Sequence, residues 1–146
     1  MRLSPVYKMR PFVPADFKLV MDSWSKSWRE SPWAGAIPNN RFHAVFTDAV
    51  AQLVERGAQF VVLCAAANED QIIGWACYEL VRDGTALHYL YVKDPFRRRG
   101  LGAELVQAVK EAHGTSDRTF YTYRTRFADS SIFRGFRHAP EIARRK

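Results

Sequence analysis

The chain has 146 residues, 47% of them hydrophobic and 14% aromatic, which suits one folded domain with a real core and excludes a disordered chain. No apolar run reaches the length of a membrane-spanning helix, which excludes a helical membrane protein. The net charge of +7 points to an acidic partner or substrate.

Much of that charge lies from Arg118 to Lys146, where eight Lys/Arg face two acids. No nucleic-acid motif accompanies it, so nucleic acid is not the expected partner. Near the N-terminus, Arg2, Lys8 and Arg10 are followed by no continuous apolar segment, so a secretory leader is not expected and the chain is read as cytoplasmic. Cys64 and Cys77 fall in apolar, strand-like runs and read as small core residues. No Cys/His spacing suits zinc, and no metal is expected.

In chain order, Val6 to Arg10 reads as a first strand. Pro14 suits the first turn of a helix. Phe17, Val20, Met21, Trp24 and Trp28 then mark one apolar face at helical spacing, and Ser31-Pro32 ends it. Trp33 to Asn40 reads as a loop. Asn39 or Asn40 can cap a second helix, whose buried face is Phe42, Val45, Phe46, Ala49, Val50 and Leu53. Gln59 to Ala66 is a strand, Asn68-Glu69-Asp70 a turn, and Gln71 to Val81 the returning strand. Gly74 inside that strand signals a bulge or a close backbone approach. Asp83-Gly84 is the next hairpin turn.

Ala86 to Gly114 follows as strand, basic glycine loop and helix. Leu, Tyr and Val crowd the run from Ala86 to Val92, and Asp94-Pro95 stops it. Arg97-Arg98-Arg99-Gly100-Leu101-Gly102 comes next. Leu101, Leu105, Ala108, Val109 and Ala112 then recur at helical spacing, with Gly114 as a left-handed cap. The first N–H groups of a helix have no internal partner, and its dipole favours negative charge there. Bare glycines and three arginines at that point suit a phosphate or diphosphate.

Three phosphate loops compete for this pattern. The nucleotide P-loop needs Lys-Ser or Lys-Thr after its glycines, which is missing. The dinucleotide fingerprint needs a small residue where Leu105 stands. The third candidate matches: Arg97-x-x-Gly100-x-Gly102 after Leu87-His88-Tyr89-Leu90-Tyr91-Val92 resembles the acetyl-CoA loop of the GNAT acetyltransferase superfamily. Ile72-Ile73-Gly74-Trp75 is similar to the third strand of that family, and Gly135-Phe136 to the close of its fourth helix. The segment from Ser23 to Phe42 resembles small GNAT proteins encoded by phages, whose setting would be the host cytoplasm.

The resemblance implies an α/β (α+β) GNAT fold over residues 1–146: a mixed, mostly antiparallel sheet of about six strands with four helices, in the order β-α-α-β-β-β-α-β-α-β. After Gly114, Arg118 to Arg126 reads as a strand, Ala128 to Arg134 as the fourth helix, and Arg137 to Arg145 as a last edge strand interrupted by Pro140. Family members usually end in two strands. Here there is room for one, so a second copy or another protein is a candidate to cover this short edge.

In function, the resemblance implies acetyl transfer from acetyl-CoA to a primary amine of a small molecule or protein, by direct attack in a ternary complex. The backbone of Leu90, Tyr91 and Val92 would pair with the pantetheine arm. A bulge there would aim the Leu90 N–H at the thioester carbonyl. Arg97, Arg98, Arg99, Gly100, Leu101, Gly102 and Ala103 would hold the diphosphate. His88 is the leading base, and Glu79 the alternative through water. The family's usual tyrosine acid is replaced by Ser131, so Tyr121 or Tyr123 stands in, or the thiolate leaves unaided. Trp28, Trp33, Ile37 and His43, with Glu79, are the acceptor-side candidates. The missing tyrosine and short C-terminus also suit another class: a catalytically silent GNAT-fold module acting through protein contacts.

Overall fold

The computed structural model describes residues 6–29, 38–81, 84–112, 119–121 and 136–138. Its elements run β1 (Tyr7–Pro11), a 3-10 turn (Pro14–Asp16), α1 (Phe17–Arg29), α2 (Asn39–Glu55), β2 (Gln59–Ala65), β3 (Asn68–Val81), β4 (Gly84–Val92), a second 3-10 turn (Asp94–Phe96), α3 (Leu101–Ala112), β5 (Thr119–Tyr121) and β6 (Phe136–His138). The strands form one sheet in chain order. The first four are antiparallel, β5 runs parallel to β4, and β6 parallel to β5.

Strand alternation divides the core into two layers. Trp75, Cys77 and Tyr89 face α1 and α2, where they meet Val20, Trp24, Trp28, Phe42, Phe46, Val50 and Leu53. Ala76, Tyr78 and Leu87 face α3 and meet Leu101, Leu105, Val106 and Val109. Each large apolar side chain fully covered in this way contributes about 1.5–3 kcal/mol. The first layer is mostly aromatic: Trp24 stacks on Tyr89 at 5.4 Å and tilts against Trp75 at 5.2 Å.

Several polar contacts place α1 on the sheet. Arg10 grips Asp16 with two hydrogen bonds of 2.7 and 2.8 Å, tying the end of β1 to the turn that opens α1. The Arg10 hydrogen bond outweighs burial and holds the Asp16 carboxyl below the usual carboxylate range. Trp75 Nε1 donates to Ser23 Oγ at 2.8 Å. Ser27 Oγ and Tyr89 Oη lie 2.8 Å apart one helical turn further on. Two serines four residues apart therefore pin one face of α1 to β3 and β4.

Some expected details differ. Phe17 begins α1 but is exposed, so it does not belong to the apolar face. The turn after β2 is made by Ala66 and Ala67, and Asn68-Glu69-Asp70 already belongs to β3. Asn68 Oδ1 accepts the Asp70 N–H at 3.0 Å, so its turn-forming chemistry acts inside the strand, where the β2–β3 register also shifts. The last described strand is Phe136–His138, ahead of Pro140. Three helices are present among the described residues; the expected fourth, at Ala128 to Arg134, lies outside them.

Candidate active site

The site begins where β4 leaves its partners. Cys77 pairs with Tyr89 but Tyr78 pairs with Leu87, so His88 is an extra residue in β4, a β-bulge. The bulge expected at Leu90 to Val92 is thus found at His88. The extra residue turns the imidazole onto the α1/α2 side, toward Glu79. On the other edge of β4, β5 pairs only with Thr85, Ala86 and Leu87. Beyond the bulge, residues 89–92 have no paired strand on that edge among the described residues.

Hydrogen-bond phase determines what that edge offers. The Lys93 N–H donates to the Ile73 carbonyl at 2.8 Å. Antiparallel pairs alternate, so Tyr91 and Tyr89 bond toward β3, while Leu90 and Val92 turn their N–H and C=O groups outward. The Val92 carbonyl accepts Arg97 Nε there at 2.7 Å. Gly74 lets β4 lie this close to β3: a Cβ on it would stand 2.5 Å from the Tyr91 carbonyl oxygen.

Then comes the glycine loop. Arg98 and Gly100 both have positive φ, 67° and 77°. Arg98 is the one non-glycine residue in that region among the described residues, a cost found mostly at functional sites. Backbone of this kind turns successive N–H groups into one concavity, a nest for an anion. The first bond across the start of α3 is Glu104 N–H to the Gly100 carbonyl, at 3.2 Å. Among the described residues, the N–H groups of Arg98, Gly100, Leu101, Gly102 and Ala103 donate to nothing, while that of Arg99 closes the turn over Arg97 and Arg98.

The three arginines divide the work. Arg97 spans the loop, from the Val92 carbonyl to Asp94 at 3.2 Å, and lies over the Tyr91 ring. Arg99 donates to Tyr7 Oη at 3.1 Å and sits over Phe96. Arg98 is exposed and makes no hydrogen bond, ion pair or ring contact among the described residues. Of the three arginines it is the one without a partner among the described residues.

On the α1/α2 side, three charged or titratable groups converge. His88 Nε2 lies 2.8 Å from Glu79 Oε1. The same oxygen accepts Arg56 Nη2 at 2.6 Å. Burial alone would push the Glu79 carboxyl up; the His88 hydrogen bond and the Arg56 charge overcome it and hold it below the usual range. Burial pushes His88 down, and Glu79 recovers only part of the loss, so the imidazole is neutral at pH 7. An ionised carboxylate only accepts, so the neutral ring carries its proton on Nε2 and its lone pair on Nδ1.

The structure therefore brings His88, Glu79 and Leu90 to one stretch of sheet, and Arg97 to Ala103 to the loop below it. Trp28 is not at an open surface. It is 6% exposed and packs on Phe42 and Phe46, so its indole serves the core. His43 is exposed on α2. Trp33, Ile37, Tyr123 and Ser131 lie outside the described residues, as does the side chain of Tyr121. Arg56 was invisible to sequence reasoning. The one available signal was Glu79 itself, the single acid in the apolar run from Ile72 to Val81, which needed a cation. No group of side chains suited to a metal occurs among the described residues, and no helix among them is long and apolar enough to cross a membrane.

Among curated proteins no sequence matches the chain. Solved structures share its fold. A putative acetyltransferase, YycN, from Bacillus subtilis is 16% identical, with a TM-score of 0.69 over 91% of this chain and 93% of that one. A GNAT family acetyltransferase from Brucella melitensis, in complex with acetyl-CoA, is 16% identical, with a TM-score of 0.55 over 84% and 79%. The PaiA N-acetyltransferase from Thermoplasma acidophilum, in complex with coenzyme A, is 13% identical, with a TM-score of 0.52 over 73% and 70%. The model of the acetyltransferase (GNAT) family matches residues 18–122, most of the chain and all of the strand–loop–helix unit, and the protein belongs to that family.

Proposed function

We propose that this protein is an acetyl-CoA-dependent N-acetyltransferase, with the whole chain, 1–146, as one catalytic domain. One observation carries the reading: five of the six amides from Arg98 to Ala103, all but that of Arg99, donate to nothing among the described residues. An anion that fills them stabilises a helix start that otherwise depends on water. The complexes of the Thermoplasma and Brucella proteins with coenzyme A and acetyl-CoA support a diphosphate as that anion.

In this reading the amides and Arg98 hold the diphosphate, and the outward edge of Leu90 to Val92 pairs with the pantetheine arm. The Leu90 N–H stabilises the oxyanion as the acceptor amine attacks the thioester carbonyl. The C–N bond forms, the C–S bond breaks, and the amine proton passes to His88 Nδ1. The imidazole is fully covered, so the proton reaches it along a hydrogen bond, directly or through one water. Tyr123 protonates the thiolate, or the thiolate leaves as such with a thiol pKa near 8.5. Trp33 and Glu79 border the acceptor.

The test is free-thiol release from acetyl-CoA against a panel of amines, with thermal shift as the binding readout. Acetyl-CoA should raise Tm by mass action. His88→Ala should keep that shift and lose about 10²–10⁴ in turnover, the usual worth of a general base. No Tm shift at saturating acetyl-CoA would overturn the assignment in favour of an interaction module. Unchanged turnover in His88→Ala would remove His88 from the reaction.

A further inference from the structure

A hydrogen-bonded pair of imidazole and carboxylate can sit in two arrangements: the carboxylate accepts from a neutral ring, or it forms an ion pair with an imidazolium. At His88 and Glu79 a third group takes part. Arg56 follows the last residue of α2, Glu55, and reaches across to β3. Its Nη2 and His88 Nε2 meet the same oxygen, Glu79 Oε1, at 2.6 and 2.8 Å. The side chains of Arg56, Glu79 and His88 are 14%, 17% and 0% exposed, so water screens the trio little. The guanidinium never gives up its charge. An oxygen that receives it has no proton of its own, so Nε2 must be the donor.

We propose that Arg56 is a positioning residue for the base: by clamping Glu79 Oε1 it holds His88 neutral, with its proton on Nε2 and its lone pair on Nδ1. This deepens the acetyltransferase reading and rests on it for its use, though not for its measurement. The physical basis is competition for one oxygen. Glu79 stabilises an imidazolium, and Arg56 spends part of that carboxylate charge and adds a like charge of its own. Arg56 and Glu79 therefore push His88 in opposite directions. Among the described residues, the groups that face the ring with an effect on its charge are Glu79 from β3 and Arg56 from the end of α2. Within β4 itself the neighbours, Leu87 and Tyr89, are uncharged.

The experiment is a histidine titration by NMR of the whole chain labelled with ¹⁵N in its imidazoles, His88 being assigned from the signal lost in His88→Asn. In the parent protein His88 should show the Nε2–H tautomer and titrate below an ordinary histidine. Arg56→Met should raise its midpoint by about one pH unit, the lower end for loss of a nearby charge. Glu79→Gln should lower it and leave the tautomer mixed. Arg56→Lys restores the charge without the planar fork, and should return the midpoint most of the way. Midpoints that move together in Arg56→Met and Glu79→Gln, or that stay where they are, would overturn the proposal. So would an Nδ1–H tautomer in the parent. Thiol release is read separately: its absence alongside opposed midpoints would sink the transferase reading and leave the clamp standing.

Discussion

Gly74 lies so close beneath Tyr91 that a single added methyl would stand 2.5 Å from the Tyr91 carbonyl oxygen. Leu105 Cδ1 and Val92 Cα close the other sides, each at 3.3 Å. Two of those three neighbours are backbone, so a larger residue cannot be accommodated by a rotamer change. Gly74→Ala should therefore cost about 1–3 kcal/mol, the usual cost of overpacking. It should also move β4 away from β3 and disturb the outward edge at Leu90. Urea unfolding measures the first effect, and the acetyl-CoA-dependent Tm shift the second. A variant as stable as the parent would show that the two strands part freely.

Gly100 poses the matching question for the loop. Its φ of 77° lies in the left-handed region, and its amide is one of the five that donate to nothing among the described residues. Gly100→Ala should cost roughly 1–2 kcal/mol of backbone strain. If the loop relaxes to escape it, the amides no longer converge, and acetyl-CoA affinity should fall about tenfold. Calorimetric titration with coenzyme A checks this. Parent-like affinity in a folded variant would mean that the diphosphate does not use this turn.

The acid limb of stability follows from three depressed groups. Burial lowers His88 below its ordinary 6.5 in the folded chain. The unfolded chain then binds a proton first as pH falls, so this contribution is whole above about pH 6.5 and is lost as pH drops through the folded value. Asp16, chiefly through its Arg10 hydrogen bond, is also depressed. Glu79, despite burial, is held down by His88 and Arg56. Their contributions are lost in the acid range below ordinary carboxylates. Tm should be highest near neutrality and fall in two stages. His88→Asn should flatten the first stage, between about pH 7 and 5. An identical slope in that variant would show that His88 does not resist protonation in the fold.

The legible parts of this protein are those written in contiguous residues. From Leu87 to Val109, strand, turn and helix follow one another, and each is dictated by near neighbours: β-formers, then Asp94-Pro95, then glycines, then apolar residues at helical spacing. The loop proposed to hold the anion could be picked out because its donors would be main-chain amides whose direction the local conformation sets. The buried faces of α1 and α2 were legible for the same reason, through the spacing of Val20, Trp24 and Trp28 and of Phe42, Phe46 and Val50.

What the sequence did not contain was the choice among equivalent fates for one side chain. Trp28 suits a cleft or a core equally by composition; the proximity of Phe42 and Phe46 assigned it to the core. His88 could be read as a base, but its partners depend on a bulge that adds one residue to β4 and on β3 presenting Glu79 beneath it. Arg56, 23 residues from Glu79, enters only because α2 ends above that strand. Local backbone preference determined the strand–loop–helix unit by itself. The charge state of His88 was decided by three elements meeting in a medium of low dielectric, where each ångström of approach changes the energy, and only the folded chain fixes those distances.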